Sequence, residues 1–363
     1  MSLIEIMETL GESTTAALGG LVIGTLFGIF AQRSKFCLRS AVVEFARGKI
    51  GNKTSIWLLT FSAAVFGTQF LQSTGVFDLS DVRQLSNTGS ISGALLGGLI
   101  FGAGMIMARG CSSRLLVLSA TGNLRALLSG LIFAVTAQAS LHGIISPIRN
   151  WITSWWTVSD TTLLNIISLF SLPKNSGLIL GTAFLVGALF FSAYNKQKLV
   201  VWISALGVGA TVVLAWFFNF SMAQEAFSII PVKAITFTGP SADALMVALN
   251  PPGSMIDFDI GLVPGVFLGS FLAAYFSKEL KIVGFINGLC MRRYIFGAMA
   301  MGFGGMLAGG CAVGAGVTGG SIFALTAWLA LTGMWAGAAL TDWLIDRDNE
   351  TCIVSGVSTP AAP

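Results

Sequence analysis

Two cysteines, Cys111 and Cys311, lie at the ends of closely similar sequence stretches, and their thiols are candidates for chemistry. Gly102–Cys111 reads GAGMIMARGC and Gly302–Cys311 reads GFGGMLAGGC, and the two stretches carry the same residue at five of ten positions. In each, the Gly-Cys step ends an apolar run that is shorter than the roughly 20 residues of a membrane-spanning helix. Small residues follow, so the pattern predicts that one helix ends and another begins at each cysteine.

A helix that begins at a cysteine changes what the thiol can do. The first turn exposes free backbone N–H groups and carries roughly half a positive charge, and both favour an anion. The same positive end polarises an S–H bond and stabilises a thiolate. Because sulfur is a soft ligand, two such thiols indicate a sulfur-containing anion, with Cys111 and Cys311 beside its path.

A third break is predicted in the stretch 231–243, which reads PVKAITFTGPSAD. Pro240 followed by Ser241 is typical of the start of a short helix. Around the three breaks, the residues that we predict to support anion binding are Gly110, Ser112, Gly310, Arg109, Arg114, Thr238 and Ser241. The two arginines have an alternative role, because long cationic side chains near a helix end also extend to the membrane surface.

The composition indicates the environment of these breaks. Hydrophobic residues make up 54% of the chain and charged residues only 10%, against about 25% charged in an ordinary globular domain. The sequence therefore predicts an all-α polytopic membrane protein. A net charge of +4 does not indicate nucleic-acid binding. One histidine and five cysteines without CxxC spacing predict no metal site, and we expect no cofactor.

Nine apolar stretches are predicted to cross the membrane. They are 15–32, 54–77, 91–108, 124–146, 177–194, 198–219, 259–277, 294–308 and 321–345. The stretch 160–172 is too short to cross alone and is predicted to lie at the interface or to re-enter. Lysine and arginine cluster between residues 33 and 53, which places that loop and the C-terminus in the cytoplasm and the N-terminus in the periplasm.

The predicted topology gives the two cysteine breaks opposite directions. The span that ends at Cys111 runs from outside to inside, and the span that ends at Cys311 runs from inside to outside. Two copies of opposite direction form an inverted repeat, as in many transporters. We therefore predict a single transmembrane domain over 1–363, with halves at approximately 15–160 and 225–345, intervening helices within 177–219 and a cytoplasmic tail at 346–363.

Three features together resemble the YeeE/YedE family over nearly the whole chain. They are the FGIFAQRSKFC motif of Phe27–Cys37, the two stretches that end in Gly-Cys, and the ITFTGPSAD stretch. That family includes bacterial thiosulfate transporters and relatives tied to sulfur or selenium metabolism. The resemblance implies an hourglass-shaped bundle of about nine transmembrane helices in the bacterial inner membrane, with short re-entrant half-helices meeting at its waist. It also implies that Cys37, Cys111 and Cys311 line the path and that the protein is not an enzyme.

The resemblance further implies uptake of thiosulfate, which passes between thiols through S–H···S hydrogen bonds with little backbone movement. A separate cytoplasmic sulfur carrier similar to TusA, or a rhodanese, is the implied partner. Arg39 lies two residues past Cys37, and it would draw the anion out of the waist if it faces the path.

Two other functions stay open. The same scaffold can carry a selenium compound, sulfite or a persulfide, and the sequence hardly separates these from thiosulfate. A membrane thiol oxidoreductase is a different class that five cysteines permit. Such enzymes usually present closely spaced cysteine pairs on loops, and no CxxC spacing occurs in this sequence.

Overall fold

The computed structural model describes residues 3–78, 82–86, 88–173, 175–227, 230–249, 257–285 and 288–347. Within this part of the chain the fold is almost entirely helical. The helices are α1 (Leu3–Leu10), α2 (Glu12–Ser34), α3 (Leu38–Ala46), α4 (Asn52–Ser73), α5 (Arg83–Ser86), α6 (Ile91–Met107), α7 (Ser112–Ala120), α8 (Leu124–Leu141), α9 (Ser146–Thr153), α10 (Thr161–Leu164), α11 (Ile166–Leu169), α12 (Ser176–Tyr194), α13 (Leu199–Glu225), α14 (Thr238–Leu249), α15 (Phe258–Phe276), α16 (Gly288–Leu307) and α17 (Leu325–Thr341). Two π-helical segments, Ala312–Gly319 and Asp342–Asp346, flank α17, and the strands β1 (Gly89–Ser90) and β2 (Thr157–Val158) pair antiparallel.

The long helices are membrane-spanning helices. Eight stretches of the described chain are long and apolar enough to cross a bilayer. Three of these stretches join a long helix to the short helix after a break: α2 with α3, α6 with α7, and α16 with the first π-helix. The ninth predicted span corresponds to α17, which has 17 residues and lies alongside α6. The protein is therefore the all-α polytopic membrane protein that its composition predicts.

The crossing of α6 and α16 is formed by glycines and relates the two halves of the molecule. A Cβ atom on Gly97 would lie 2.7 Å from the carbonyl oxygen of Gly304, and one on Gly104 would lie 2.6 Å from that of Gly297. An early residue of each helix meets a late residue of the other, so the helices are antiparallel. A shift of 200 residues converts one glycine pair into the other. The crossing therefore has the two-fold relation of an inverted repeat.

The remaining long helices pair in the same reciprocal way. A Cβ on Gly24 of α2 would lie 2.4 Å from the carbonyl oxygen of Leu262 in α15, and a Cβ on Gly265 of α15 would lie 2.4 Å from that of Leu21 in α2. The contact of α2 with α15 has its counterpart in α13 with α4, and that of α6 with α17 has its counterpart in α16 with α8. In this pairing α13 takes the place that α2 has in the first half. The exact boundaries of the two halves stay a prediction.

The stretch 160–172 contains two four-residue helices, α10 and α11, which are far too short to cross a bilayer. The N–H of Ile166 donates to the carbonyl oxygen of Phe323 at 3.0 Å, so this stretch is bound to the segment before α17. The nearby side chains of Trp151, Trp155 and Trp156 are more than half exposed. Exposed tryptophans are typical of the boundary between membrane and water.

Candidate functional site

The break before Cys111 is formed by the end of α6. Arg109 has a φ of 55°, in the left-handed region, and the N–H of Gly110 donates to the carbonyl oxygen of Met105 at 3.1 Å. This is the Schellman arrangement, in which a left-handed residue allows the last carbonyl groups of a helix to be satisfied. Cys111 is then extended, and its carbonyl oxygen accepts from the N–H of Leu115 at 2.9 Å as α7 begins.

The break before Cys311 repeats this backbone. Gly309 has a φ of 76°, and the N–H of Gly310 donates to the carbonyl oxygen of Gly305 at 2.9 Å. The carbonyl oxygen of Cys311 accepts from the N–H of Ala315 at 2.8 Å, although the helix that begins here is a π-helix. The prediction that a helix starts at each of the two cysteines is confirmed, and their depth in the bilayer stays a prediction.

Cys37 and Cys111 form a close pair of thiols. Cys37 is the extended residue immediately before α3, and its Sγ lies 3.8 Å from the Sγ of Cys111. The Sγ of Cys111 also lies 3.5 Å from the hydroxyl oxygen of Ser113. Both cysteines are free and buried. We call Cys37 and Cys111 the thiol pair, because one of the two S–H groups donates a hydrogen bond to the other sulfur, away from solvent.

Cys311 is bound by backbone amides. Its Sγ accepts from the N–H of Phe237 at 3.3 Å and from that of Gly314 at 3.4 Å. The hydroxyl oxygen of Thr236 lies 4.0 Å from the same sulfur. Phe237 immediately precedes α14 in the second half, as Cys37 immediately precedes α3 in the first. A backbone amide therefore contacts Cys311 where a thiol contacts Cys111.

A cavity of about 500 Å³ lies next to this second break. Gly310 and Thr238, which the sequence predicts to support binding, are among its lining residues. The charged side chains in its lining are Arg149, Lys233, Asp243 and Asp259, so its formal charges balance. The cavity is large enough to admit a small anion, and polar groups line part of its wall.

Lys233 is paired with two carboxylates at the cavity wall. Its Nζ lies 3.0 Å from the carboxylate of Asp257 and also contacts that of Asp259. Burial lowers the pKa of Lys233, but the two carboxylates raise it by more, so its pKa lies above the usual lysine value. Asp259 Oδ1 and Thr238 Oγ1 are buried, and neither atom has a hydrogen-bond partner within the described structure. These atoms are available to a bound ligand or water.

Three arginines converge on one carboxylate, and two of them, Arg39 and Arg109, lie two residues from the thiol pair in sequence. Nη2 of Arg109 and Nη2 of Arg293 lie 3.1 and 2.9 Å from Oδ1 of Asp346. Nη2 of Arg39 lies 3.1 Å from Oδ2 of the same carboxylate. We call these four residues the arginine cluster. Burial raises the pKa of Asp346, but the three guanidinium groups lower it by more, so its pKa lies below the usual range.

The arginine cluster bears on two sequence-based predictions. Asp346 is the first residue of the predicted cytoplasmic tail, and its side chain is only 4% exposed and is packed among the helices. The cytoplasmic location of the tail stays a prediction. Residues 348–363 of the predicted tail lie outside the described residues. Arg109 is predicted to lie beside the anion or at the membrane surface; its guanidinium is largely buried against Asp346, and its role toward the anion stays a prediction.

The other residues predicted to support anion binding, Arg114, Ser112 and Ser241, lie in different parts of the structure. The Nη1 atom of Arg114 lies 3.4 Å from Oε1 of Gln32, so this arginine is bound to α2. The hydroxyl oxygen of Ser112 is buried at the start of α7 without a hydrogen-bond partner in the described chain. Ser241 lies in the first turn of α14, which begins at Thr238 and so two residues before Pro240, the predicted start.

Sequence reasoning missed four residues that the structure places at these breaks: Thr236, Phe237, Arg293 and Asp346. The shift of 200 residues that relates Cys111 to Cys311 also leads from Cys37 to position 237, and this signal was present in the sequence. No local pattern marks Arg293 or Asp346, because their roles depend on contacts between distant segments.

Comparison with known proteins places these features in a family. A family model described as Sulphur transport matches residues 33–340, which include Cys37, Cys111 and Cys311. The thiosulfate transporter TsuA of Escherichia coli (strain K12) is 25% identical over 356 residues, which cover 90% of this chain and 94% of that protein. The thiosulfate transporter TsuA of Spirochaeta thermophila is 25% identical over 354 residues, which cover 90% of this chain and 98% of that protein. The chain therefore belongs to the Sulphur transport family, the YeeE/YedE family that its motifs resemble, and it is a multi-pass membrane transporter and not an enzyme.

Proposed function

We propose that this protein takes up thiosulfate across the bacterial inner membrane through a constriction lined by Cys37, Cys111 and Cys311. The observation that carries the proposal is the thiol pair, in which two buried free thiols lie 3.8 Å apart at the starts of two helices. Both relatives reported above are named thiosulfate transporters. A soft terminal sulfur matches soft thiol partners, and the sulfonate oxygens match N–H and O–H donors.

The hydrogen bonds at the thiols suggest how the anion passes. At Cys311, two backbone N–H groups donate to the sulfur, so its own S–H proton is available for an incoming acceptor. In the thiol pair, one S–H donates to the other sulfur, and the terminal sulfur of thiosulfate can replace that acceptor. The unpartnered hydroxyls of Ser112 and Thr238 are donors for the oxygens. Each exchange needs only side-chain rotation, so we propose transport with little backbone movement.

The orientation follows from the positive charges. We propose that the N-terminus is periplasmic and that the arginine cluster faces the cytoplasm, as the excess of basic residues in cytoplasmic loops requires. The cavity beside Cys311 then opens toward the periplasm. Moving a divalent anion into a cell at an inside-negative potential costs about 4.6 kcal/mol per 100 mV. A cytoplasmic sulfur carrier similar to TusA, or a rhodanese, would offset that cost by consuming thiosulfate as it arrives.

The test is thiosulfate uptake by a strain that depends on this transporter for sulfur. Cys111→Ala and Cys311→Ala should each lower the initial uptake rate at least about tenfold, because a hydrogen bond to a charged ligand contributes about 1.5–3 kcal/mol. Ser140→Ala is the matched control, since this buried hydroxyl on α8 bonds only within its own helix. Normal uptake by both cysteine variants at equal protein levels would eliminate the thiol path.

The alternatives have separate measurements. Competition binding with sulfate, sulfite, selenite and thiosulfate on purified protein distinguishes thiosulfate from another sulfur or selenium substrate. Equal affinity for sulfate and thiosulfate would argue against a filter for soft sulfur. The thiol pair is the feature of the described structure that favours a thiol oxidoreductase, and mass spectrometry of unreduced protein turned over with a quinone would detect a disulfide at Cys37 and Cys111 if that activity exists.

A further inference from the structure

Among the described residues, the arginine cluster contains more positive charge than it has carboxylate to neutralise. Asp346 accepts hydrogen bonds from Arg39, Arg109 and Arg293, so three guanidinium groups share one carboxylate. The side chains of these arginines are only 14–19% exposed. Buried charges are stable only when they are paired, so two excess positive charges in one place favour a further anion.

The cluster also has hydrogen-bond donors without acceptors. The Nε atoms of Arg39, Arg109 and Arg293 are all buried, and none has a hydrogen-bond partner within the described structure. A guanidinium carries five N–H donors, and a bidentate acceptor normally engages two of them. The shortage of acceptors among the described residues is a second observation beside the charge count, and the oxygens of an oxyanion would supply acceptors for these donors.

The neighbouring ion pair of Arg47 and Asp342 serves as a comparison for the arginine cluster. Arg47 donates to both carboxylate oxygens of Asp342 at 3.0 Å each. Asp342 is paired with this one arginine in the described part of the chain, and Arg47 is 42% exposed and also donates to the backbone carbonyl oxygen of Asp346 at 3.5 Å. The arginine cluster differs in stoichiometry and in burial, although Asp342 and Asp346 belong to the same π-helical segment.

The position of the cluster relates it to the route of the anion. Arg39 lies two residues after Cys37, and Arg109 lies two residues before Cys111. Arg109 occupies the left-handed position of the Schellman turn, where the second half has Gly309. Because left-handed backbone disfavours residues with a side chain, the arginine is retained there at a cost in backbone energy. Its compensation in the structure is the guanidinium that reaches Asp346.

We propose that Arg39, Arg109 and Arg293 form a second anion-binding site, for a divalent tetrahedral oxyanion, which the carboxylate of Asp346 occupies when no substrate is bound. An anion that leaves the thiol pair would displace Asp346, and the return of Asp346 would release the anion. This role in transport rests on the proposed function, whereas anion binding by the cluster does not.

The experiment measures binding of sulfate to the purified full-length protein, with thermal unfolding and calorimetry in a gluconate buffer. Sulfate has no soft sulfur, so it probes the guanidinium groups and not the thiols. Asp346→Asn removes the competing carboxylate and should bind sulfate about tenfold more tightly than the wild type. Its unfolding temperature should fall in gluconate and recover with sulfate, because the ion replaces the lost carboxylate.

Three further variants decide between anion binding and a structural role. Asp342→Asn breaks the neighbouring ion pair and should show no recovery specific to sulfate. Arg109→Gly keeps the left-handed turn, as Gly309 does in the other half, and should weaken sulfate binding about tenfold even if Asp346→Asn does not fold. The Cys37→Ala/Cys111→Ala protein should bind sulfate like the wild type, which separates this site from the thiol path. Equal sulfate responses of wild type, Asp346→Asn and Arg109→Gly would overturn the proposal.

Discussion

The breaks at Cys111 and Cys311 have the same backbone and different surroundings. Both follow a Schellman turn and both begin a helix with a carbonyl bond to the fourth following residue. At Cys111 the sulfur meets another thiol, and Arg109, two residues earlier, belongs to the arginine cluster. At Cys311 the sulfur meets backbone amides beside a cavity whose charges balance. The comparison indicates that the two halves share the helix geometry at each break. The groups that contact the sulfur differ: a thiol at Cys111 and backbone amides at Cys311.

Under the proposed function, this difference would affect how each break acts on an anion. A cavity whose formal charges balance would show little preference for the sign of an ion, whereas a buried excess of positive charge would favour anions. The arginine cluster would then be the more anion-selective of the two regions.

The largest expected effect comes from the glycines that relate the two halves. Gly104→Ala and Gly304→Ala would each place a carbon 2.6 Å from a backbone atom of the facing helix. We expect each to cost about 3 kcal/mol or more, since the backbones must separate. Unfolding of the purified protein measures this. Gly130→Ala is the control, because nothing lies within 4 Å of its added carbon. Unequal effects of the two glycine variants would break the equivalence of the halves.

The next prediction concerns oxidation, which should distinguish the two breaks. Diamide should take two electrons and two protons from the thiol pair and leave a disulfide, because the two sulfurs already lie 3.8 Å apart. Uptake should fall severalfold and return after treatment with dithiothreitol. Cys311, which contacts amides, should stay reduced in peptide mapping. Modification of Cys311 before the thiol pair would contradict the contacts described above.

A smaller effect is expected at the left-handed residues of the two turns. Gly309→Ala has free space around the added carbon, so only the positive φ opposes it, and we expect a loss of about 1 kcal/mol. Arg109→Gly relieves that strain but removes an ion pair, so its stability should change by less. Thermal unfolding of both variants in the same buffer checks this. A neutral Gly309→Ala would show that the turn is not as constrained as its φ indicates.

The smallest effect is expected from pH. The pKa of Asp346 is lowered by the arginines, so its stabilising contribution is complete above the ordinary aspartate value and is lost only as pH falls through the lower pKa of the folded state. The raised pKa of Lys233 gives the opposite sign: its contribution is complete below the ordinary lysine value and is lost at higher pH. The stability difference between wild type and Asp346→Asn should therefore be constant from about pH 5 to pH 9. A change within that range would point to another titrating group.

What the sequence could predict was local. The hydrophobic runs are predicted because each is a continuous segment, and the starts of helices at Cys111 and Cys311 are predicted because two ten-residue stretches share a pattern. Cys37 was identified only through the family resemblance. Its pairing with Cys111 joins residues 74 positions apart. Arg39 and Asp346 are 307 positions apart, and no periodicity within a helix specifies such a contact. The residues that sequence reasoning missed are those whose roles depend on the tertiary fold.

The glycine crossing of α6 and α16 has a consequence for how the molecule moves. Where main chain touches main chain, no side chain is present to change rotamer and absorb a displacement, so the contact is either kept or lost as a whole. The carbonyl oxygens of Gly104 and Gly304 also accept from Ala108 and Ala308 at 2.8 Å, just before the two turns. The crossing of α6 and α16 therefore holds the breaks at Cys111 and Cys311 at a fixed distance from each other. We expect a spin-label distance between the ends of α6 and α16 to stay constant while substrate passes.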